Sequence, residues 1–188
     1  MKYLEEIENF NPINEQEEKD KEVVLKYIND FPNNILTREN EYAHISSSGF
    51  ILNKNRDKVL MIYHNIYQSW GWTGGHADGD EDLLYVALKE AKEETGVDTK
   101  PIVNNVFVLD ILPVNGHFKR GKWVSSHEHL NVTYILEADE SQELIMKEDE
   151  NSGVKWVPID EVVKESREEC MQVVYQKIIN KMKESNII

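Results

Sequence analysis

Residues 70 to 97 read WGWTGGHADGDEDLLYVALKEAKEETGV. Gly74-Gly75 and Gly79 mark a turn, Asp80 is placed as an N-cap, and acids fill the first turn of the helix after it. The helical pattern then runs from Asp82 to Thr95, and Gly96 is placed to stop it. At 100° per residue, Glu90, Glu93 and Glu94 stand at i, i+3 and i+4 and fall within about 100° of one another. Leu84, Ala87, Leu88 and Ala91 occupy the neighbouring arc as the side expected to pack on a sheet. Like charges at this spacing cost a helix a few tenths of a kcal/mol and raise one another's pKa. A divalent cation would reverse that sign, and hard oxygen ligands without cysteine suit Mg²⁺ or Mn²⁺. The alternative is an acidic surface helix with Lys89 and Lys92 as partners.

Outward from this segment, strand patterns fall at Ile45–Leu52, Val59–His64, Val106–Val114, Leu130–Leu136 and Val154–Val157, with a polar hairpin turn at Asn53–Asp57. Helical patterns fall at Glu15–Ile28, at Ile159–Val163 as a short piece, and at Glu168–Met182. On the last, Met171, Val174, Tyr175, Ile178 and Met182 recur at helical steps as a core-docking face. Strands interleaved with helices predict α/β architecture, a sheet covered by helices.

The 188 residues suit one ordinary domain with an extension, and 40% hydrophobic with 30% charged residues suits a packed core. No apolar run nears the roughly 18 residues of a membrane span, and MKYLEEIENF lacks the charges of a signal peptide. Cys170 is the one cysteine, so neither an intrachain disulfide nor a multi-cysteine zinc site is available. A cytoplasmic protein is the expectation. The formal charge of −14 argues against broad binding to nucleic acid or anionic membrane. That charge is local: residues 1–22 hold eight acids and three bases, 78–98 eight and two, and 137–150 seven and one, so the remainder is slightly basic. The acids of the first cluster read as a solvated helical face, and the third cluster as an exposed loop or short connecting helix.

The second cluster is more than acidic. Gly75, Glu81, Lys89-Glu90, Ala91, Glu93-Glu94, Gly96 and Val97 together resemble the Nudix box, G-x5-E-x7-R-E-U-x-E-E-x-G-U, over residues 75–97. Lys89 stands at the usual Arg position; it carries the charge but not the planar fork, though Glu93 lies within i,i+4 reach. The Trp-Thr-Gly-Gly turn before the box and Val154–Glu161 after it also look like Nudix hydrolases. The resemblance implies a Nudix-type α/β/α sandwich with a mixed β-sheet over residues 36–188, preceded by an N-terminal helical extension over residues 1–35.

It further implies hydrolysis of a small-molecule diphosphate, as in a nucleoside diphosphate derivative, with Mg²⁺ or Mn²⁺ held by Glu90, Glu93, Glu94 and the Gly75 carbonyl. Glu93 is the first choice of general base, and Glu150, on a later loop, the second. His117-Phe118-Lys119-Arg120-Gly121-Lys122-Trp123 concentrates cations beside aromatics, so Lys119, Arg120 and Lys122 are assigned to substrate phosphates, against an equally plain exposed basic hairpin. His64, His76, His127 and His129 are read as hydrogen-bonded structural residues, with His127 and His129 facing one way on a strand. Trp70, Trp72, Tyr63 and Tyr67 are read as packing. The N-terminal helix is expected to pack on the core, with a pocket cap or a homodimer contact as other readings. Two rivals have less support. A nucleotide-sensing Nudix module would have eroded glutamates, and these are complete. An isopentenyl-diphosphate isomerase-like enzyme would carry a cysteine where Gly74 stands.

Overall fold

A computed structural model describes residues 1–119 and 121–188. In chain order the elements are α1 (Lys2–Glu8), α2 (Glu15–Asp30), β1 (Ala43–Asn53), β2 (Lys58–His64), β3 (Ser69–Gly71), β4 (Thr73–His76), α3 (Leu83–Thr95) and β5 (Thr99–Pro101). Next come β6 (Val108–Val114), β7 (His117–Lys119), β8 (Lys122–Val124), β9 (His127–Ala138), β10 (Asn151–Pro158), α4 (Val162–Glu165) and α5 (Glu169–Glu184). Eight strands form a sheet with the path β10-β2-β1-β9-β5, to which β3 adds on β2, β4 on β1 and β6 on β9; β7 and β8 pair separately. The mixed α/β architecture is the one expected. Among the described residues no helix is long and apolar enough to cross a membrane.

By contact the residues group into two units, Met1–Ser48 with Gly75–Val86 and Asn104–Tyr134, and Gly49–Gly74 with Ala87–Val103 and Ile135–Ile188. In the first, α2 opens with Asn14 accepting from the Glu17 N–H at 2.8 Å, while the Glu17 carboxylate accepts from the Ile13 N–H at 3.0 Å. This reciprocal arrangement resembles a capping box: it satisfies one first-turn amide, that of Glu17, and the Ile13 amide just before the cap. It also buries Glu17 completely, so the acids of this helix are not all on a solvated face. The inner side carries Val24 and Ile28, and Asp20 accepts from the Ile111 N–H of β6 at 3.1 Å. The N-terminal helices thus pack within their unit, as expected. Strands β6 and β9 pair antiparallel from Val108↔Thr133 to Val114↔His127. Ser46 and Ser48 both donate to the buried Asn131 Oδ1 at 2.9 Å, and Asn131 donates on to Thr133 at 3.0 Å.

In the second unit β1 and β2 pair antiparallel at Ile51↔Leu60 and Leu52↔Val59, and Asn53 holds the turn between them. Its Oδ1 accepts from the Asp57 and Lys58 N–H groups at 3.1 Å each, and its Nδ2 donates to Asp57 at 2.7 Å and Glu140 at 3.0 Å. Asn53 is fully buried, so every one of these bonds replaces water. Strand β10 pairs with β2 from Asn151↔His64 to Pro158↔Lys58, with a register shift between Asn151 and Val154. Helix α5 buries the five expected residues and Ile179 besides. Its Tyr175 hydroxyl accepts from the Trp72 N–H at 3.0 Å.

Several elements depart from the sequence reading. Asp82, not Asp80, caps α3: its Oδ1 accepts from the Tyr85 N–H at 3.1 Å, while Asp80 accepts from the Asp82 N–H at 2.9 Å. The helix therefore starts at Leu83 with no acid in its first turn. Residues 139–150 are irregular, which settles the third cluster as a loop. Helix α1 and the three- or four-residue strands β3, β4, β5, β7 and β8 are too short to show a period.

Asn53→Ala should lower stability by about 1–3 kcal/mol, because buried polar groups lose their partners. A denaturant melt should show an earlier midpoint with an unchanged slope. An unchanged midpoint would mean that the turn is held by its flanking strands alone.

Candidate active site

Helix α3 buries Leu83, Val86, Ala87 and Ala91, while Leu84 and Leu88 are only half-buried. The buried stripe is thus rotated by one residue from the arc expected. Positions 83, 87 and 91 repeat at i+4, and the next step of i+3 on that face is Glu94. A carboxylate consequently continues an apolar stripe, and Glu94 is 2% exposed.

What makes that burial tolerable is polar partners from distant parts of the chain. The Gly74 N–H donates to Glu94 Oε2 at 2.9 Å, and the fully buried Asn151 donates through Nδ2 to the Glu94 carbonyl at 3.0 Å. The last turn is closed by Thr95 Oγ1 donating to the Ala91 carbonyl, and the loop after β9 joins it through the Ile145 N–H on the Thr95 carbonyl at 2.8 Å. Burial pushes the Glu94 carboxyl well above the ordinary carboxylate range, against the pull of the Gly74 amide.

Glu90 and Glu93 lie further out. Burial raises the Glu90 pKa, and the Glu93 charge adds to it. Beside them Lys147 Nζ stands 3.4 Å from Glu93 Oε2 and 2.9 Å from Glu150 Oε2. Both candidate bases therefore share one ammonium, which brings Glu150 of the later loop to the Glu93 edge. Desolvation alone would lower the Lys147 pKa, but Glu150, Glu90 and Glu93 outweigh it and the net shift is upward. Lys89 reaches Glu93 at 3.8 Å with both side chains about half exposed, a weak pair of the expected i,i+4 type. The sequence reading does not single out Lys147 or Asn151. The one signal for Lys147 is that it is the single base in the acidic stretch 137–150.

Gly75 lies in β4 next to the Gly74 amide that holds Glu94. Lys119 and Lys122 are opposite each other in the β7–β8 hairpin, whose Phe118 and Trp123 rings meet edge to face at 5.1 Å and are 72% and 60% exposed. Arg120 and the Lys119 side chain lie outside the described residues. His64 accepts from the Ile66 N–H at 3.1 Å, the structural use expected. Trp70 packs on Tyr63 at 5.4 Å with Lys155 over its ring at 4.2 Å, and Trp72 packs on Tyr175 at 5.4 Å.

Residues 43–178 match the family model described as the NUDIX domain. The chain belongs to the Nudix family. Curated relatives of this Nudix chain include a probable DHNTP pyrophosphohydrolase of Lactococcus lactis subsp. cremoris, 26% identical over 55% of this chain and 59% of that protein. A CMP-5'-(N-acetyl-N-hydroxy-3-aminopropyl)phosphonate hydrolase of Streptomyces rubellomurinus is 28% identical over 59% of this chain and 50% of its own. The match thus spans between half and three fifths of each relative. In fold, the chain is similar to the E. coli dihydroneopterin triphosphate pyrophosphohydrolase, with a TM-score of 0.54 at 15% identity over 72% of this chain and 95% of that one.

Members of this family generally use a divalent metal, and the residues present fit one. Glu150, Glu90 and Glu93 draw the Lys147 ammonium among them and raise its pKa against burial, which marks an environment that favours a cation. Gly96 sets the end of this helix, with φ of +74° and its N–H donating to the Lys92 carbonyl at 2.9 Å. A Cβ there would lie 2.8 Å from Ile145 Cβ. Gly96→Ala should therefore cost about 1–3 kcal/mol through backbone strain and the clash. Thermal melting would register the loss, and a variant as stable as the parent would show that the helix end can rearrange.

Proposed function

We propose that this chain is a Mg²⁺-dependent pyrophosphohydrolase that cleaves a diphosphate linkage in a small molecule by attack of water at phosphorus. The observation that carries the reading is the arrangement on α3: Glu94 locked by Gly74 and Asn151, with Glu90 and Glu93 beside it and Lys147 between Glu93 and Glu150. Glu90, Glu93 and Glu94, with the Gly75 carbonyl, would hold Mg²⁺ or Mn²⁺, which when bound neutralises diphosphate charge and makes water more acidic. The chain's own groups do the rest. Glu93 takes a proton from the attacking water as the new P–O bond forms and the bridging P–O bond breaks. Lys147 holds Glu93 and Glu150 in place, and Glu150 is the second candidate base. Glu94, fixed by two hydrogen bonds, serves as the rigid ligand against which the others adjust.

For substrate, Lys119, Arg120 and Lys122 are proposed to meet phosphate oxygens, a reading that rests on the sequence. The names of the two curated relatives support a nucleotide or nucleotide-like diphosphate as the class. Residues 1–35 are proposed as an extension to a catalytic domain over 36–188, acting in the cytoplasm.

Glu93→Gln should reduce kcat by about 10²–10⁴ with an unchanged melting curve. A screen of nucleoside diphosphate derivatives and DHNTP with Mg²⁺ supplies the assay. Turnover retained in the variant would remove Glu93 from the chemistry.

The carboxyls also predict a pH dependence. Glu90 and Glu94 keep their protons above the ordinary value of 4.5, so without metal they favour the folded state at low pH. That contribution is full below about pH 4.5 and is lost as pH rises through their raised folded pKa values. Metal requires the ionised forms, so its binding must release protons. Calorimetry in buffers of different ionisation enthalpy should show Mg²⁺ affinity climbing with pH above this value, with proton release. Affinity independent of pH would place the ion elsewhere.

A further inference from the structure

Four histidines that the glutamate site does not use converge in one unit. His44 comes from β1, His76 from β4, and His127 and His129 from successive same-facing positions of β9. One ring nitrogen from each lies within 4.8 Å of all the others. His76 Nε2 is 3.1 Å from His129 Nε2, and His127 Nε2 is 3.3 Å from the same atom. In a tetrahedral zinc site with Zn–N bonds of 2.0–2.1 Å, neighbouring nitrogens are about 3.3–3.4 Å apart. Two of the contacts are therefore already at ligand spacing, and the widest needs to close by roughly 1.4 Å.

The outer contacts set the rings for this use. His44 Nδ1 is 3.0 Å from the Asn40 carbonyl and His127 Nδ1 is 2.8 Å from the Ser125 carbonyl. Carbonyl oxygen only accepts, so both Nδ1 atoms carry the proton and both Nε2 atoms of the neutral rings present a lone pair. A backbone carbonyl on the far nitrogen is one of the usual ways a metal-binding imidazole is oriented. His44 is 4% exposed, and among the described residues its Nε2 has no hydrogen-bond partner. A buried acceptor without a partner costs about 1–3 kcal/mol, and a cation at the centre of the cluster would supply one.

We propose that His44, His76, His127 and His129 form a second, structural metal site that takes a borderline divalent ion of the Zn²⁺ class and ties β1, β4 and β9 together. Four neutral imidazoles favour Zn²⁺, Co²⁺ or Ni²⁺ over Mg²⁺, which prefers oxygen. Four protein ligands close the coordination sphere, so the site supports the fold and leaves no position for water to react.

The test uses the full chain, stripped with chelator and held in excess Mg²⁺ to occupy the carboxylates. Co²⁺ titrated into it should give the intense visible bands of a tetrahedral nitrogen site at one equivalent, and Zn²⁺ should displace the Co²⁺ and raise the melting temperature. His127→Asn and His129→Asn, both half-buried positions, should weaken Co²⁺ binding by at least about tenfold and abolish the Zn²⁺-induced thermal shift. Glu93→Gln should leave both readouts unchanged, which separates this site from the proposed catalytic one. Binding and thermal shift that survive the histidine substitutions, or that vanish in Glu93→Gln, would overturn the proposal. So would wild-type protein that shows neither the bands nor the shift.

Discussion

The chemistry proposed for this protein depends on keeping one carboxylate, Glu94, out of water. It sits where the buried stripe of α3 would call for an apolar side chain, and an isolated ionised carboxylate there would be prohibitive. The solution is polar and comes from residues distant in the chain. The Gly74 amide approaches the carboxylate, and Asn151 grips the carbonyl of the same residue. Gly74 of β4 and Asn151 at the start of β10 are thereby fastened to the end of α3. Burial raises the pKa, which makes the group a poor anion when alone and a well-placed ligand once a cation arrives.

The other carboxyls grade outward from it. Glu90 is half-buried, and Glu93 and Glu150 reach the surface and share Lys147. In the proposed reaction a rigid inner ligand and more exposed outer carboxylates would divide the work of binding and proton transfer, with position fixed at Glu94 and movement available at Glu93 and Glu150. The weak Lys89–Glu93 pair belongs to the same gradient, since two exposed side chains at 3.8 Å restrain each other little. Lys147 stands nearer to Glu93, at 3.4 Å, than Lys89 does.

The histidine cluster is a different kind of arrangement. It gathers residues 44, 76, 127 and 129 from β1, β4 and β9, and two of its imidazoles, those of His44 and His127, sit against main-chain carbonyls. The two sets of ligands differ in hardness, so each would select a different class of ion from the same solution. The expected hydrogen-bonded use holds for His64, and His76, His127 and His129 make such contacts too while converging with His44.

The sequence by itself determined the features that short-range geometry controls. Helical spacing put Glu90, Glu93 and Glu94 on one edge, alternation put His127 and His129 on one face, glycine marked the end of α3, and the recurrence of apolar residues on α5 gave its buried side. All of these depend on fixed rotations and rises within one element. The tertiary structure alone decided which edge of α3 faces inward by one residue's rotation, which acid caps it, and that Glu17 and Glu94 are buried. It likewise decided that Lys147 is the cation between Glu93 and Glu150, and that four histidines meet. The Asp82 cap and the Glu17 bonds span four positions or fewer, but the contacts at Glu94 and between His76 and His129 join residues 20 to 57 positions apart. Such contacts are set by strand register and by the competition of polar groups for partners once water is excluded, and no local period carries that information.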